Sequence, residues 1–398
     1  MRRPAEMTID TDIIVVGGGH AGLTVACGLS ASFDVTLIDP DPAPKLADLP
    51  AAGCGRSIAM LAGSVEIIRS LGVWPELARL ASPIIRTEVH ETSERVVYDA
   101  DELRGEPFGY GFENGPLRAG LAEAFARLSA GPGGHGRVNT SRLVGLRSNA
   151  HHIVAELADG SSLRARLLIG ADGRGSKVRT LAGIGVGAQK YPQSAITFII
   201  EHDQPHGHRV REFIRPEGPL AFLSLSGNRT GVTWVDGPDA ADALNALPDA
   251  ALIARLQDYL AGELGELRLA SPRSIYPLGA LHADRYAAPR IVLIGDAAHG
   301  VHPIHAQGFN MGVQDIRALL DQLSSAKGQR DPGAPDLLVA YERERRPANT
   351  GRLIMTDMLA RVLGSDWLPV RQARRSAFKA LSSVTPLRRF AAARGMQA

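Results

Sequence analysis

The chain has 398 residues, with 44 Lys or Arg against 42 Asp or Glu, so its formal net charge is only +2 and a generally basic nucleic-acid binder is excluded. Its length predicts two or three domains, and its two cysteines, Cys27 and Cys54, form no C-x-x-C pair, which excludes a disulfide framework and a zinc knuckle. Because the sequence has neither a secretory leader nor a long apolar run, we expect a cytoplasmic protein that does not span a membrane.

The first predicted elements form a βαβ unit. Residues 13–17 (IIVVG) and 35–39 (VTLID) have the apolar runs of buried strands, and residues 20–30 between them have the small and apolar side chains of a packed helix. A unit of about thirty residues in this order opens a doubly wound parallel sheet.

The middle of the chain predicts a second kind of sheet. Residues 84–98 are rich in β-branched side chains, and a helix over 116–130 and a hairpin turning at Asp159-Gly160 follow. Residues 194–236 contain at least three strands with short turns, and this spacing is typical of an antiparallel sheet.

The last part of the chain returns to a buried strand and then to helices. Residues 290–296 (RIVLIGD) are strand-like, and apolar residues recur at helical spacing after Gly308. A helical pattern continues over 336–363 with an expected break near Pro347, because proline removes a backbone donor and clashes with the preceding turn. Residues 371–398 carry seven Arg or Lys and no acidic residue.

A glycine-rich loop joins the first strand to the first helix. Gly17, Gly19 and Gly22 satisfy the pattern G-x-G-x-x-G, and Asp39 closes the second strand. In this context the glycines permit a tight turn and bring a pyrophosphate close to the helix N-terminus, while the acid accepts hydrogen bonds from an adenosine ribose. The motif predicts dinucleotide binding and leaves NAD and FAD both open.

Two further motifs distinguish between these cofactors. Residues 169–179 (IGADGRGSKVR) and 294–312 (IGDAAHGVHPIHAQGFNMG) each place an acid after a buried strand. They resemble the DG and GD motifs of class A flavoprotein monooxygenases, the para-hydroxybenzoate hydroxylase type. The segments 213–225, 302–315 and 341–359 resemble the ubiquinone-biosynthesis hydroxylases, so the resemblance extends over nearly the whole chain.

The resemblance implies an α/β fold of the glutathione reductase type. A FAD-binding, Rossmann-like doubly wound sheet is interleaved with an antiparallel-sheet substrate domain and is followed by C-terminal helices. The implied limits are 1–83, 106–180 and 276–330 for the FAD-binding domain, 84–105 and 181–275 for the substrate domain, and 331–398 for the helical segment.

The resemblance also implies roles for individual residues. Asp296 is expected to hydrogen-bond the ribityl chain of FAD, the helix after Gly308 to point its N-terminus at the flavin, and Asp172 with Gly173 to order a loop beside the pyrophosphate. A surface salt bridge is the alternative role for Arg56 and for Arg118. The expected cofactor-binding residues are Gly17, Gly19, Gly22, Asp39, Arg56, Arg118, Asp172, Gly173, Gly295, Asp296, Gly308 and Asn310.

The implied activity is hydroxylation of an aromatic ring by O₂, with FAD as cofactor, NAD(P)H as transient reductant and a flavin C4a-hydroperoxide as oxygen donor. The expected catalytic positions are Pro303, His305 and Ala306. His305 is a candidate base, with packing as its alternative role. Ala306 stands where the family usually has glycine, so flavin reduction without oxygen insertion stays open.

The three histidines His299, His302 and His305 raise the alternative of a metal site. We do not expect one, because Pro303 and the neighbouring glycines predict a loop in which the three imidazoles need not converge.

The substrate class follows from the subfamily and from the C-terminal segment. A polyprenylated phenol dissolves in membranes, and the basic, partly apolar residues 371–398 suit peripheral contact with an inner membrane or with a complex of ubiquinone enzymes. A solvated helical face is the alternative for this segment. Two other functions stay open: hydroxylation of a soluble aromatic compound or secondary metabolite, and a non-catalytic flavin-binding assembly subunit.

Overall fold

The computed structural model describes residues 8–49, 55–91, 94–102, 105–304, 307–324, 331–365 and 367–395. Its strands, in chain order, are β1 Thr11–Val16, β2 Asp34–Ile38, β3 Ser57–Leu61, β4 Ser82–Pro83, β5 Arg86–Glu91, β6 Glu94–Asp99, β7 Gly109–Glu113, β8 His135–Asn139, β9 Leu143–Ser148, β10 Ile153–Leu157, β11 Ser162–Gly170, β12 Val186–His202, β13 Arg209–Ile214, β14 Leu220–Leu225, β15 Arg229–Asp236, β16 Leu267–Leu269, β17 Ser274–Ala283, β18 Ala287–Ala288, β19 Ile291–Leu293 and β20 His299–Gly300. Its α-helices are α1 His20–Leu29, α2 Ala62–Ser70, α3 Trp74–Ala78, α4 Asn114–Ala130, α5 Lys177–Leu181, α6 Pro238–Ala246, α7 Asp249–Leu260, α8 Gln307–Ser324, α9 Pro335–Leu363, α10 Leu368–Ser383 and α11 Thr385–Gly395.

A mainly parallel sheet has the strand order β18-β19-β11-β1-β2-β8, and the hairpin of β9 and β10 continues from β11. Strand β1 pairs in parallel with β2 on one side and with β11 on the other, so Val16 lies beside both Ile38 and Gly170. Gly170 in turn lies beside Leu293 of β19. The loops after these four strands therefore meet at one edge, where sheets of this kind bind their ligands.

A second sheet is mostly antiparallel, with the order β20-β17-β12-β15-β14-β13-β5-β6. Its two faces differ. Trp234 of β15 packs with the helices α6 and α7, whereas the next residue, Val235, packs on the opposite face with Tyr276 of β17. The domain boundary at residue 276 that the sequence suggests falls inside β17, which pairs with β12 in this sheet.

The small sheet β3-β7-β4 joins the two larger ones. A side chain on Gly111 of β7 would overlap the backbone carbonyl oxygen of Ser224 in β14. The two backbones therefore pack in direct contact, and glycine at 111 is what permits this.

The helical break expected near Pro347 is wrong, because α9 continues through the proline from Pro335 to Leu363. The side chains of Arg345 and Asn349, one on each side of the proline, both donate hydrogen bonds to Oδ1 of Asp315 at 2.9 Å. We infer that these tertiary contacts hold both halves of the helix in line and offset the missing backbone donor.

Candidate active site

The loop between β1 and α1 shows why its glycines are needed. Gly17 has φ +106°, and a side chain there would overlap the carbonyl oxygen of Ala171. A side chain on Gly22 would overlap the carbonyl oxygen of Gly17. Gly19 differs from both, since its backbone is extended and a Cβ added there would meet no atom within 4 Å. Contacts within the chain explain the first two glycines, whereas Gly19 leaves open space at the start of α1.

The start of α1 is a favourable place for an anion. Gly19 is the N-cap residue and provides no side chain to bond the free N–H groups of the first turn, and that turn contains no acidic residue. Unpaired N–H groups together with the helix dipole attract a negatively charged group such as a phosphate.

Asp39 follows β2 directly and lies beside the glycine loop. Its Oδ2 accepts a hydrogen bond from the backbone N–H of Gly18, and its Oδ1 accepts one from Asp41 N at 2.8 Å. Arg118 of α4 donates from Nε to the carbonyl oxygen of Gly18 at 2.8 Å, and its guanidinium lies 3.8 Å from Asp39. The predicted residues Asp39 and Arg118 therefore flank the loop.

His20 is a residue of this cradle that the sequence motif leaves unspecified. Its Nε2 lies 3.0 Å from the carbonyl oxygen of Asn114, and its ring meets that of Phe309 edge-on at 5.9 Å. Burial lowers the pKa of His20 to about 4, so its imidazole is neutral at neutral pH. The ring joins the first turns of α1, α4 and α8 in one packed cluster.

The carboxylate of the DG segment accepts hydrogen bonds from residues that follow it in the same loop. Oδ1 of Asp172 accepts a hydrogen bond from Ser176 Oγ at 2.5 Å, and Oδ2 accepts from the N–H groups of Lys177 and Val178 at 2.7 and 3.0 Å. Gly173 has φ +78°, a conformation that favours glycine. Together these contacts fix the loop between β11 and α5 at the ligand-binding edge.

The GD segment leaves its carboxylate accessible. The Asp296 side chain is 51% exposed, and its nearest ion-pair partner is Arg174 of the DG loop, with Nε at 3.8 Å from Oδ2. Gly295 has φ +55°, and a Cβ added there would lie 3.4 Å from Ala21 Cβ and 4.0 Å from Gly312 Cα. The DG loop, the GD loop and the starts of α1 and α8 thus come together.

Gly308 and Asn310 lie in the first turns of α8. A Cβ added at Gly308 would meet only Val301, at 3.9 Å. The buried side chain of Asn310 accepts a hydrogen bond from Leu61 N and donates one to the carbonyl oxygen of Ala59, both at 2.9 Å. These two bonds tie α8 to β3.

Asp315 is a central residue that the sequence analysis missed. It is fully buried in α8, and its Oδ2 accepts from Gly295 N at 3.1 Å and lies 2.5 Å from Nε2 of His299. Its Oδ1 accepts the bonds from Arg345 and Asn349 of α9. Burial alone raises the pKa of a carboxyl group, but the neighbouring His299 and Arg345 outweigh it and lower the pKa of Asp315.

The two described histidines of the GD segment, His299 and His302, have different partners. His299 turns to Asp315, whereas His302 places Nε2 3.2 Å from Oε1 of Gln193, with the Tyr191 ring edge-on at 5.1 Å. Burial lowers the pKa of His302 to about 4. His305 and Ala306 lie outside the described residues, and Pro303 is half-buried next to His302. In the part of the chain that the structure describes, no three His, Cys, Asp or Glu side chains are grouped as metal ligands.

Arg56 connects the cradle with the antiparallel sheet. Its guanidinium carbon lies 5.2 Å from the centre of the Tyr276 ring, on the sheet face opposite α6 and α7. The Arg56 side chain thus lies against the second sheet, on the face that also holds Val235 and Leu278.

Comparisons with known proteins agree with this geometry. Residues 10–353 match a protein family described as "FAD binding domain". A ubiquinone hydroxylase of Rhodospirillum rubrum is 37% identical over 382 residues, which cover 95% of this chain and 87% of that protein. The 3-demethoxyubiquinol 3-hydroxylase of Escherichia coli is 36% identical over 344 residues, 85% of this chain and 86% of that protein.

Among solved structures, p-nitrophenol 4-monooxygenase from Pseudomonas putida has a TM-score of 0.79. The match covers 98% of this chain and 99% of that chain, at 17% sequence identity. At this identity the likeness bears on the fold alone, and it supports the arrangement of one parallel and one antiparallel sheet.

Proposed function

Since the chain belongs to the family of FAD-dependent monooxygenases, we propose that it hydroxylates the ring of a polyprenylated phenol in ubiquinone biosynthesis, with O₂ and NAD(P)H as co-substrates. Two relatives with more than a third of their aligned residues identical carry names from that pathway, which supports the substrate class. The proposal that FAD is the cofactor rests on Gly19. A side chain there would meet no atom of the chain, so contacts within the chain do not explain why this residue is glycine.

The residues present suit FAD. Gly17, Gly19 and the N-terminus of α1 would hold the pyrophosphate, and Asp39 would hold the adenosine ribose. The accessible carboxylate of Asp296 would bond the ribityl chain. Gly22, Gly173 and Gly295 shape the loops around these positions, and Arg56 and Arg118 supply positive charge near the phosphates. Gly308 and Asn310 set the start of α8, whose positive end would face the flavin ring.

When bound, FAD supplies the chemistry that activates O₂ for transfer of a hydroxyl group to the ring. The chain's own task is to hold the ring and to keep water away from it. His302 contributes a neutral imidazole beside the half-buried side chains of Gln193 and Tyr191, and the Tyr191 hydroxyl donates to the carboxylate of Asp357 at 3.0 Å. Pro303, His305 and Ala306 follow His302 in the sequence and are the proposed catalytic segment.

The test is oxidation of NAD(P)H by the purified, FAD-loaded protein. We expect oxidation to depend on a prenylated phenol and to yield a product with one more oxygen atom. Faster turnover of small, unprenylated phenols would favour a soluble aromatic substrate. Bound FAD without NAD(P)H oxidation on any phenol would favour a non-catalytic subunit. A deletion strain that keeps its ubiquinone and accumulates no prenylated intermediate would contradict the pathway.

Peripheral contact with an anionic membrane is part of the same proposal. Among the described residues, no helix is long and apolar enough to cross a membrane. Large apolar side chains are exposed along the C-terminal half of α9 and at the start of α10, where Ile354 is 64% and Trp367 69% exposed. The other exposed members of this apolar patch are Met355, Met358, Val362 and Leu368.

Five of the seven cations of the C-terminal segment fall into two groups. Arg374 pairs with the buried Glu91 at 2.6 Å, and Arg388 pairs with Glu102 at 2.8 Å, so these two attach α10 and α11 to the antiparallel sheet and its adjoining loop. An exposed cationic row on α10, spaced four residues apart, is formed by Arg371, Arg375 and Lys379. The apolar patch followed by this row has the chemistry of an anionic lipid surface.

Vesicle flotation tests this contact. We expect binding to vesicles with anionic lipid that weakens in salt, and loss of binding when the row is changed by Arg371→Glu, Arg375→Glu and Lys379→Glu together. The matched control changes Arg142, Arg268 and Arg285 to Glu, three exposed cations elsewhere, and alters the net charge equally. Equal loss in both triple variants would show that net charge alone controls binding and would contradict the docking surface.

A further inference from the structure

A groove of about 840 Å³ lies on the side of the antiparallel sheet that α6 and α7 cover. This is the face of Trp234, opposite the face on which Arg56 meets Tyr276. The groove is therefore separate from the cofactor cradle. Its volume lies in the range of pockets that bind small molecules.

Part of the lining of the groove is aromatic and aliphatic. Phe213 and Trp234 each meet the ring of Tyr259 edge-on, at 5.2 and 5.7 Å. The facing wall comes from α6 and its end, with the side chains of Ala240, Ala243, Leu244 and Leu247. Such a lining favours an apolar ligand that packs against aromatic rings.

The charges of the groove do not select an ionic ligand. Arg215 is already engaged, with its guanidinium 5.2 Å from the Trp234 ring centre, an ion pair to Asp236 at 3.3 Å and a bond to the Val235 carbonyl oxygen at 2.6 Å. The remaining charged residues of the lining have mixed signs and are Glu217, Arg255 and Asp258. A neutral ligand therefore fits better than an anion or a cation.

A narrow cavity shares lining residues with the groove and also borders His302. It is bordered by His302 and Ile304 on one side, and it shares Ile214 and Arg215 with the groove on the other. Its volume is about 10 Å³, room for roughly one water molecule. Arg215 is held by several bonds, so an apolar chain that entered here would displace other side chains of the cavity. Ile214 and Leu363 are aliphatic and form no side-chain hydrogen bonds or ion pairs that would resist this.

We propose that the α6–α7 groove binds the isoprenoid tail of the substrate while the ring lies at the His302 segment. This inference rests on the proposed function and adds the place of the tail. The tail is neutral and apolar, the groove offers aromatic and aliphatic side chains, and its residues Ile214 and Arg215 also border the cavity at His302. The end of α9, at Ala360 to Gly364, borders the same narrow cavity and carries the exposed apolar patch on its other side.

The test fills the groove and compares two substrates. Ala243 is exposed and lines the groove, so Ala243→Trp should occupy it without disturbing the core. Ala246→Trp, at the end of the same helix and outside the lining, is the matched control. The substrates are one phenol with a single isoprene unit and the same phenol with a long tail.

We expect Ala243→Trp to raise KM for the long-tailed phenol at least tenfold, since each buried methylene contributes about fourfold in affinity. Its kcat and KM for the short-tailed phenol should stay at the wild-type values, and Ala246→Trp should change neither substrate. If the long-tailed phenol is handled equally by both variants, the tail site is wrong while the proposed function stands. If the wild-type protein hydroxylates neither phenol, the proposed function fails and the tail site fails with it.

A second measurement does not depend on a variant. A long-tailed phenol with a photoreactive group at the tail end should crosslink to the peptides of α6 and α7 in the wild-type protein. Crosslinks confined to residues 354–368 would place the tail at the apolar patch and would overturn the proposal.

Discussion

Replacement of Asp315 by alanine should lower the free energy of unfolding by about 3–5 kcal/mol, the loss that follows when one member of a buried ion pair is removed. The carboxylate has no solvent exposure and receives four polar contacts, from Gly295, His299, Arg345 and Asn349. The Arg345 side chain is only 12% exposed, and without Asp315 it would keep no carboxylate beside it in the described part of the chain. The desolvation of that cation is the largest part of the expected loss.

The assay is urea unfolding of the FAD-free protein, followed by circular dichroism. The control is Asp321→Ala on the same helix, whose carboxylate forms an exposed i,i+4 pair with Arg317 and should contribute no more than about 0.5 kcal/mol. Asp315→Ala should also weaken FAD binding, because Gly295 loses the acceptor that fixes the GD loop. Equal unfolding midpoints for the two variants would refute the claim that Asp315 is the link between the GD loop, α8 and α9.

Three further predictions concern the cradle. Gly19→Ala should leave the stability of the FAD-free protein within about 0.5 kcal/mol yet reduce FAD affinity at least tenfold, because the new methyl group meets only the space proposed for the pyrophosphate; unchanged affinity would mean that the space is not used. Gly22→Ala should instead prevent correct folding, since its methyl group overlaps the carbonyl oxygen of Gly17, and a soluble variant with normal FAD content would contradict this. Asp296→Ala should lose FAD on gel filtration, and full stoichiometric retention would exclude the ribityl role. The last prediction concerns pH: His20 and His302 have pKa values lowered to about 4, so the unfolded chain binds protons first as the pH falls below about 6.5, and stability present above that pH is lost between pH 6.5 and 4. Each histidine accounts for roughly 2–3 kcal/mol of that loss, and His302→Gln should flatten the dependence of the urea midpoint on pH between 7 and 5; an unaltered slope would contradict the burial of this imidazole in its neutral form.

Local patterns predict the parts of this protein that depend on neighbours in sequence. The strand, loop and helix around Gly17, Gly19 and Gly22 follow from a buried apolar run and from backbone constraints within a few residues. The contacts of Asp315 could not be predicted in this way, because its partners lie 16 to 34 positions away and follow no period.

The wrong prediction of a break at Pro347 and the failure to predict the Asp315 network have the same cause. Both depend on contacts between α9 and residues far away in the sequence. Along its N-terminal half, Tyr341 donates to the carbonyl oxygen of Leu293 at 2.9 Å and Glu342 accepts two backbone N–H groups at the start of β18. Arg352, one turn after the proline, donates to Gln307 at 3.1 Å. The helix is therefore held against the strand, loop and helix of the GD segment along most of its buried length, and one local proline does not overcome these contacts.

Helix α9 contributes both to the proposed flavin site and to the exposed apolar patch, two features that lie far apart in the sequence patterns. Its first half fixes the GD loop and the start of α8, where the flavin is proposed to bind, and its second half carries the exposed apolar patch and ends at the cavity beside His302. A lipid surface that contacted Met358 and Val362 would touch the same helix whose end borders the cavity at His302. Because α9 continues through Pro347, the contacts to the GD loop and the exposed apolar patch are carried by one unbroken helix.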